Sequence, residues 1–372
     1  MKIEFNLLSL KKAIKNVQKS IPSNPQLPIL SSVLINVDKN NLTLAATDLY
    51  LGIKTKSELK NNKHKASLVI PGLMLKDLIN SFSDEEVFIN IKKEAIELES
   101  GSSRVKIPAQ EPSEYPEFPK VSGPKIEIPT SVLKEVLEMT GYAASLDQVR
   151  PILTTIMFDF NKSGLEVATT DGFRLSVLKY PHLESQVKKR LLIPIKSFEE
   201  VCRIVDQSDV DVIKIQVDEE LKQIKIEVDQ NEIFVRLIEG EYPPYKKIIP
   251  ENFETQVEID GEILKEELQR AFILARESSN IVKFELRENK LLISSNSPSY
   301  GEYSGEILTL SQMDDELDKE IAFDIRYLLD FLNNTNPKEV VFCMNEQLKP
   351  ASFNIKNKDN FTYIVMPFRV NN

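Results

Sequence analysis

The sequence predicts an α+β protein made of three copies of one domain-sized unit, each with two helices packed on antiparallel sheet. Three observations carry this prediction. Pro28-Ile29-Leu30 lies 123 residues before Pro151-Ile152-Leu153 (151 − 28), and Thr47-Asp48 lies 123 residues before Thr170-Asp171 (170 − 47). Ile70-Pro71 recurs at Ile193-Pro194 with the same offset, and Glu114-Tyr115-Pro116 recurs at Glu241-Tyr242-Pro243 with an offset of 127 (241 − 114). An order of helix, strands, helix, strands recurs three times along the chain. A period of 123 to 127 residues is the size of a domain rather than of a solenoid repeat, so each copy is expected to bury its own core. The boundaries are placed at 1–123, 124–250 and 251–372.

In the first copy, Leu7, Leu10, Ile14, Val17 and Ile21 fall at helical spacing. Lys11, Lys12, Lys15 and Lys19 project from the other faces with no acid among them, giving an apolar floor and a cationic roof. Such a roof is either a solvated face or a surface for phosphates. The chain then passes through Asn24-Pro25 and Leu27-Pro28, where prolines break the helix. Ser32 to Val37 and Asn41 to Ala46 alternate apolar and polar residues around a short polar turn and read as a hairpin. Ile70-Pro71-Gly72 opens a second helix carrying Leu75, Leu78, Ile79 and Phe82, and Val87 to Ile107 alternates again. Glu111 to Pro119 is a proline-rich connector that cannot continue a sheet.

The second copy has helices from Ser131 to Ala144 and Ser197 to Asp206, with strands between Thr154 and Leu178 and between Val212 and Ile238. Its connector is Glu241 to Tyr245. The third is more diverged but keeps the order. Its helices run from Glu262 to Arg276 and Ile325 to Asn333, with a hairpin across Val282 to Ser294 and closing strands up to Met366.

The formal net charge of −10 excludes a chain that coats nucleic acid over its whole surface. The N-terminus has no apolar h-region and no apolar run approaches the ~18 residues a bilayer requires, so a cytosolic protein is expected. Cys202 and Cys343 stand alone among apolar neighbours and are expected as buried free thiols.

Catalytic constellations are missing: no P-loop, GxGxxG, HExxH or GxSxG motif occurs. His64 and His182 sit in polar stretches unsuited to a base or a metal site. Asp84-Glu85-Glu86 and Asp314-Asp315-Glu316 lack the glycine spacing of a calcium loop. No cofactor or metal is therefore expected, nor is an enzyme. Asp48 and Asp171 read first as turn aspartates bonding their own backbone.

Five stretches then point to a family: Leu27 to Leu30 with Thr47 to Leu49, Gln148 to Leu153, Ala168 to Val177 (ATTDGFRLSV), Glu239 to Pro250, and Tyr363 to Val370 (YIVMPFRV). Along essentially its whole length the sequence is similar to the bacterial DNA polymerase III beta subunit, the sliding-clamp family. That resemblance implies a head-to-tail homodimeric ring with six similar units, helices lining a hole and sheets outside. It implies a processivity factor that encircles duplex DNA without reading sequence, and partners comprising a clamp-loader ATPase complex, DNA polymerases and repair proteins, which dock through short linear motifs. Asn24 stands where family members often carry a basic residue.

On this reading the lysines of the first helix contact phosphates, with Lys76, Lys196, Arg203, Lys265, Arg270 and Arg326 as further candidates among interleaved acids. The dimer is expected to join Leu78, Phe82, Val105 and Ile107 of one chain to Ile273 and Leu274 of the other. The partner-peptide site is expected at the junction of the second and third copies. It would be formed by Leu153, Thr170, Gly172, Arg174, Leu175, Pro243, Ile248, Ser352, Ile364, Met366, Pro367, Phe368 and Arg369, mostly apolar residues at a domain junction. A monomeric peptide-binding adaptor and a nuclease are the alternatives, the second disfavoured by the missing catalytic residues.

Overall fold

The computed structural model describes residues 2–59, 65–84, 86–92, 94–183, 188–218, 220–311 and 319–369. His64, Glu85 and Asp314-Asp315-Glu316, weighed above, lie outside the described residues. The first copy runs β1 (Lys2–Asn6), α1 (Leu7–Val17), β2 (Ser32–Asp38), β3 (Asn41–Thr47), β4 (Leu51–Glu58), β5 (Lys65–Pro71), α2 (Gly72–Ser81), β6 (Glu86–Ile91), β7 (Ala95–Ser100) and β8 (Ser103–Pro108). The second runs β9 (Lys125–Pro129), α3 (Thr130–Thr140), β10 (Thr155–Asn161), β11 (Gly164–Thr170), β12 (Arg174–Tyr180), β13 (Lys189–Pro194), α4 (Ile195–Val205), β14 (Val212–Asp218), β15 (Gln223–Val228) and β16 (Asn231–Arg236). The third runs β17 (Thr255–Asp260), α5 (Gly261–Ala275), β18 (Ile281–Arg287), β19 (Lys290–Ser297), β20 (Gly301–Leu308), β21 (Lys319–Asp324), α6 (Ile325–Thr335), β22 (Glu339–Met344), β23 (Ala351–Ile355) and β24 (Phe361–Val365). Each copy thus shows the same ten elements among the described residues.

Helix α1 starts where the Asn6 side chain accepts from the Ser9 backbone N–H at 3.0 Å, an N-cap that satisfies one orphan donor. It ends earlier than its apolar pattern suggests. After Val17 the chain tightens into a 3-10 turn at Gln18–Ser20, and Ile21 is extended because Pro22 disfavours helical geometry in the residue before it. The stripe Leu7, Leu10, Ile14 and Val17 is buried, as the spacing requires. Aspartates cap two later helices: Asp260 accepts from the backbone of Glu262 and Ile263, and Asp324 accepts from that of Arg326.

The expectation that each copy buries its own core is corrected by the sheets. One eight-stranded sheet has the order β5-β2-β3-β4-β16-β15-β14-β9, and so joins the first copy to the second. Another, β13-β10-β11-β12-β24-β23-β22-β17, joins the second to the third. The compact units accordingly cut across the repeat: one is Met1–Ser131 with Lys196–Leu237, the other Val132–Ile195 with Ile238–Asn372. The physical reason lies in the edges. β4 and β16 pair antiparallel from Leu51↔Val235 to Thr55↔Asn231, which satisfies backbone groups that either copy alone would leave open. Inside the first unit a buried polar cluster fastens this seam. Asn231 Oδ1 accepts from Asn16 Nδ2 at 3.0 Å and from Thr55 Oγ1 at 2.7 Å. Four-stranded sheets complete each unit, β1-β6-β7-β8 in the first and β20-β19-β18-β21 in the second.

Candidate functional site

In the second unit the sequence Thr170-Asp171-Gly172-Phe173-Arg174 makes the tight turn from β11 to β12. Asp171 Oδ1 accepts from the backbone N–H of Phe173 at 2.8 Å and of Arg174 at 3.0 Å, the turn-aspartate role expected of it. Thr170 Oγ1 accepts from Gly172 N–H at 3.0 Å. Gly172 has φ +98°, and an added Cβ there would meet nothing within 4 Å. The backbone angle, not crowding, is what calls for glycine.

Arg174 turns back over this loop. Its Nε donates to Asp171 Oδ2 at 3.0 Å and its Nη1 to Asp330 Oδ2 on α6 at 2.6 Å, while the guanidinium lies 4.7 Å from the Tyr327 ring centroid. Burial works against the guanidinium charge, but the carboxylates of Asp330 and Asp171 more than offset it and hold the group protonated. The arginine is therefore a fixed wall rather than a free hand.

Beside the turn, β24 pairs with β12 so that Leu175 faces Ile364 and Arg174 faces Val365. Leu175 and Ile364 belong to a buried cluster with Met157, Val177, Leu192, Tyr242 and Tyr245. They form a floor, not a rim. Leu153 and Thr170 are also buried, and Ser352 is wholly so, opposite Ile364 on β23. Met366 N–H donates to Phe173 O at 2.8 Å and Phe368 N–H to Ala322 O at 2.7 Å, which holds the end of the chain against the turn. Met366 and Pro367 are half-buried, while Phe368 remains 47% exposed and Arg369 exposed. Pro243 follows Tyr242, whose hydroxyl donates to Ala168 O at 3.2 Å, and Ile248 on the same connector is exposed.

Sequence reasoning missed Phe173, 61% exposed at the tip of the turn, and Leu146 and Val149 in the loop before Pro151. They are large apolar side chains left in water, and alternation patterns do not report exposure at a turn or in a loop.

The expected phosphate contacts separate into two groups. Lys12 and Lys15 are exposed on α1, and neither they nor Lys196 and Lys265 have an ion-pair partner among the described residues. The others are engaged. Lys11 Nζ donates to Phe82 O at 2.8 Å, Lys19 lies 3.6 Å from Glu200, and Lys76 pairs with Asp77 at 3.1 Å. Arg203 pairs with Glu200, Arg270 with Glu266 and Glu267, and Arg326 with Asp324.

Of the residues expected to join two chains, Ile273 is 57% exposed, with Leu274, Leu78 and Val105 half-buried. Ile107 is corrected: it is 0% exposed, faces Ile96 across the β7–β8 pair, and has no surface to offer a second chain. Phe82 is nearly as buried. Leu308 and Tyr300, exposed along and just before β20, were not anticipated.

Cys202 and Cys343 are buried and not joined in a disulfide, and burial pushes the Cys343 thiol up to about 11. His182 is exposed.

A chain built by repetition of one α+β unit, with exposed apolar side chains at a fixed strand turn and exposed lysines on α1, has the parts of a tethering protein. Family models cover it almost end to end: the DNA polymerase III beta subunit N-terminal domain matches residues 1–119, the central domain 127–244 and the C-terminal domain 246–369. The chain belongs to the DNA polymerase III beta subunit family. It is 25% identical to the beta sliding clamp of Haemophilus influenzae over the whole of both chains, and 28% identical to that of Synechocystis, again over both in full. Its structure matches that of the DNA polymerase III beta subunit from Thermotoga maritima with a TM-score of 0.92 and 28% identity, covering both chains entirely. Its role is that of a DNA clamp, a processivity factor of a polymerase with no catalysis of its own.

Proposed function

We propose that two copies of this chain close head to tail into a ring around duplex DNA. The observation that carries the reading is an unmatched strand. The fourth strand of the first copy, β4, pairs with the eighth of the second, β16, and the fourth of the second, β12, pairs with the eighth of the third, β24. By the same rule β20 needs the eighth strand of a following copy. In this chain β20 and β8 both stand at sheet edges, so β8 of a second chain fits the place. Charge supports the match: Lys106 is exposed on β8 and Glu302 on β20, while Arg104 and Glu306, also exposed there, would exchange their pairs with Glu99 and Lys290 for partners across the contact. Such a contact is heterologous and closes after two copies or grows into a filament.

The repeats 1–123, 124–250 and 251–372 then act as six similar domains in the ring, with Lys12, Lys15, Lys196 and Lys265 offering diffuse contact to phosphates. The groove around Gly172, Phe173, Met366 and Phe368 receives short linear motifs of a clamp loader, polymerases and repair proteins in the cytoplasm. Removing residues 366–372 should abolish peptide binding measured by calorimetry while leaving the dimer intact. Unchanged affinity would place the partner site elsewhere.

A further inference from the structure

The turn that frames the groove of the second unit is built twice. In the first unit Thr47-Asp48-Leu49-Tyr50 stands 123 residues earlier, and its hydrogen bonds are the same. Asp48 Oδ1 accepts from the backbone of Tyr50 at 2.8 Å and Leu51 at 2.7 Å, and Thr47 Oγ1 accepts from Leu49 N–H at 3.0 Å. The neighbouring strand matches too: Arg236 N–H donates to Tyr50 O at 2.8 Å, as Met366 N–H donates to Phe173 O at 2.8 Å. Phe118, in the connector of the first copy, takes the place that Tyr245 holds in the second (245 − 118 = 127).

Three exchanges change what this second frame can hold. Gly52 stands where the other frame has Leu175, which removes a side chain from the floor and lets the edge of Phe118 approach to 2.8 Å from where a Cβ would sit. Leu49 replaces Gly172 at φ +76°. Arg236 replaces Met366. The result is a cavity of about 80 Å³ lined by Thr47, Gly52, Phe118, Phe234, Gln223 and Arg236. Open to solvent on one side, it has room for several waters or one branched aliphatic side chain. Its aromatic wall is firm, with Phe118 and Phe234 packed edge to face at 5.4 Å and Lys54 Nζ 4.5 Å from the Phe118 centroid.

Its polar end is unsatisfied. Gln223 and Arg236 are direct cross-strand neighbours on β15 and β16. Gln223 Oε1 is buried without a hydrogen-bond partner, and the exposed Arg236 guanidinium meets no carboxylate within ion-pair distance among the described residues. Among the described residues Glu117 is the one acid on the rim. A buried acceptor beside a guanidinium that lies 5.9 Å from the Tyr50 ring centroid but has no carboxylate partner among the described residues, next to a small apolar pocket, matches the end of a polypeptide: an amide N–H for Gln223, a terminal carboxylate for Arg236 and an aliphatic side chain for the pocket.

The geometry points to a second peptide pocket in the first unit, one that captures the free C-terminus of a partner ending in an aliphatic residue. It uses the repeated frame but does not depend on the groove of the second unit binding anything. The test is fluorescence anisotropy of full-length protein with fluorescein-Gly-Gly-Ser-Gly-Leu, compared as free acid and as C-terminal amide. The free acid should bind at least ~10-fold more tightly than the amide, the ratio expected when one charge-assisted hydrogen bond is removed. Arg236→Ala, at an exposed site that leaves the fold intact, should erase that difference, Arg236→Lys should keep part of it, and Glu117→Gln should strengthen binding of the acid. Removal of residues 366–372, which disables the other groove, should change nothing. Equal binding of acid and amide, no binding of either, indifference to Arg236→Ala, or loss on removing residues 366–372 would each overturn the proposal.

Discussion

Gly172 and Leu49 occupy the same step of the same turn, at φ +98° and +76°, yet only one is glycine. A non-glycine residue in that region carries about 1–3 kcal/mol of strain, which the surrounding hydrogen bonds must hold in place. Gly172→Ala should therefore destabilise the protein by roughly 1–2 kcal/mol through the backbone alone, since nothing lies within 4 Å of the added methyl. Denaturant unfolding checks this, and a drop in stability above about 4 kcal/mol would indicate a packing role instead. Glu166 gives a second test at this scale. Burial raises its pKa, but Lys246 at 2.7 Å and the Tyr245 hydroxyl lower it more, so the folded value lies below the ordinary one. Because the folded value is depressed, the stabilisation is present above the unfolded pKa of about 4.3 and is lost as pH falls through the folded value. Thermal unfolding between pH 6 and 3 should show a shallower acid limb in Glu166→Gln than in the wild type. Identical limbs would mean that the pair contributes nothing.

At the scale of elements, the helices were legible because four or five apolar residues at 3.6-residue spacing leave little ambiguity. The leading strands β1, β9 and β17 were not: KIEFN, KIEIP and TQVEID alternate over five or six residues only, too short to stand out beside the helix that follows. The cationic face of α1 was visible in the sequence, but its division was not. Lys11 bonds the backbone oxygen of Phe82, a residue 71 positions away that no local pattern links to it. Lys12 and Lys15 are therefore the pair to change. Their double alanine variant should weaken retention on nicked circular DNA equally for all sequences, and flatten the log–log salt dependence by about 0.9 for each phosphate that is no longer neutralised. Unchanged retention at low salt would return those lysines to a merely solvated face.

Across the whole molecule, the three copies could be read from fixed offsets of proline and Thr-Asp pairs, but the sharing of sheets between copies could not. Strand pairing between Leu51 and Val235 spans most of two repeats, and nothing in either segment names its partner. Ile107 was expected at the dimer contact from the family resemblance alone, and only the packing of β8 on β7 shows its side chain enclosed. Exposed Ile273 and half-buried Leu274, on the helix that packs beside β20, are the apolar anchors we propose for the contact. Replacing both by alanine should cost the dimer roughly 3 kcal/mol, about a hundredfold in dissociation constant, with sedimentation equilibrium as the readout.

In the proposed ring, closure of two chains on each other requires β20 of each to be completed by β8 of the other, and every role proposed for the ring follows from it. Negative-stain electron microscopy of the pure protein at micromolar concentration makes that closure visible. Closed two-chain rings with a central opening wide enough for duplex DNA are expected, and they should disappear in a variant with Arg104 and Lys106 both changed to glutamate. A uniform field of monomers, or open filaments growing from the same edges, would contradict the pairing of β20 with β8.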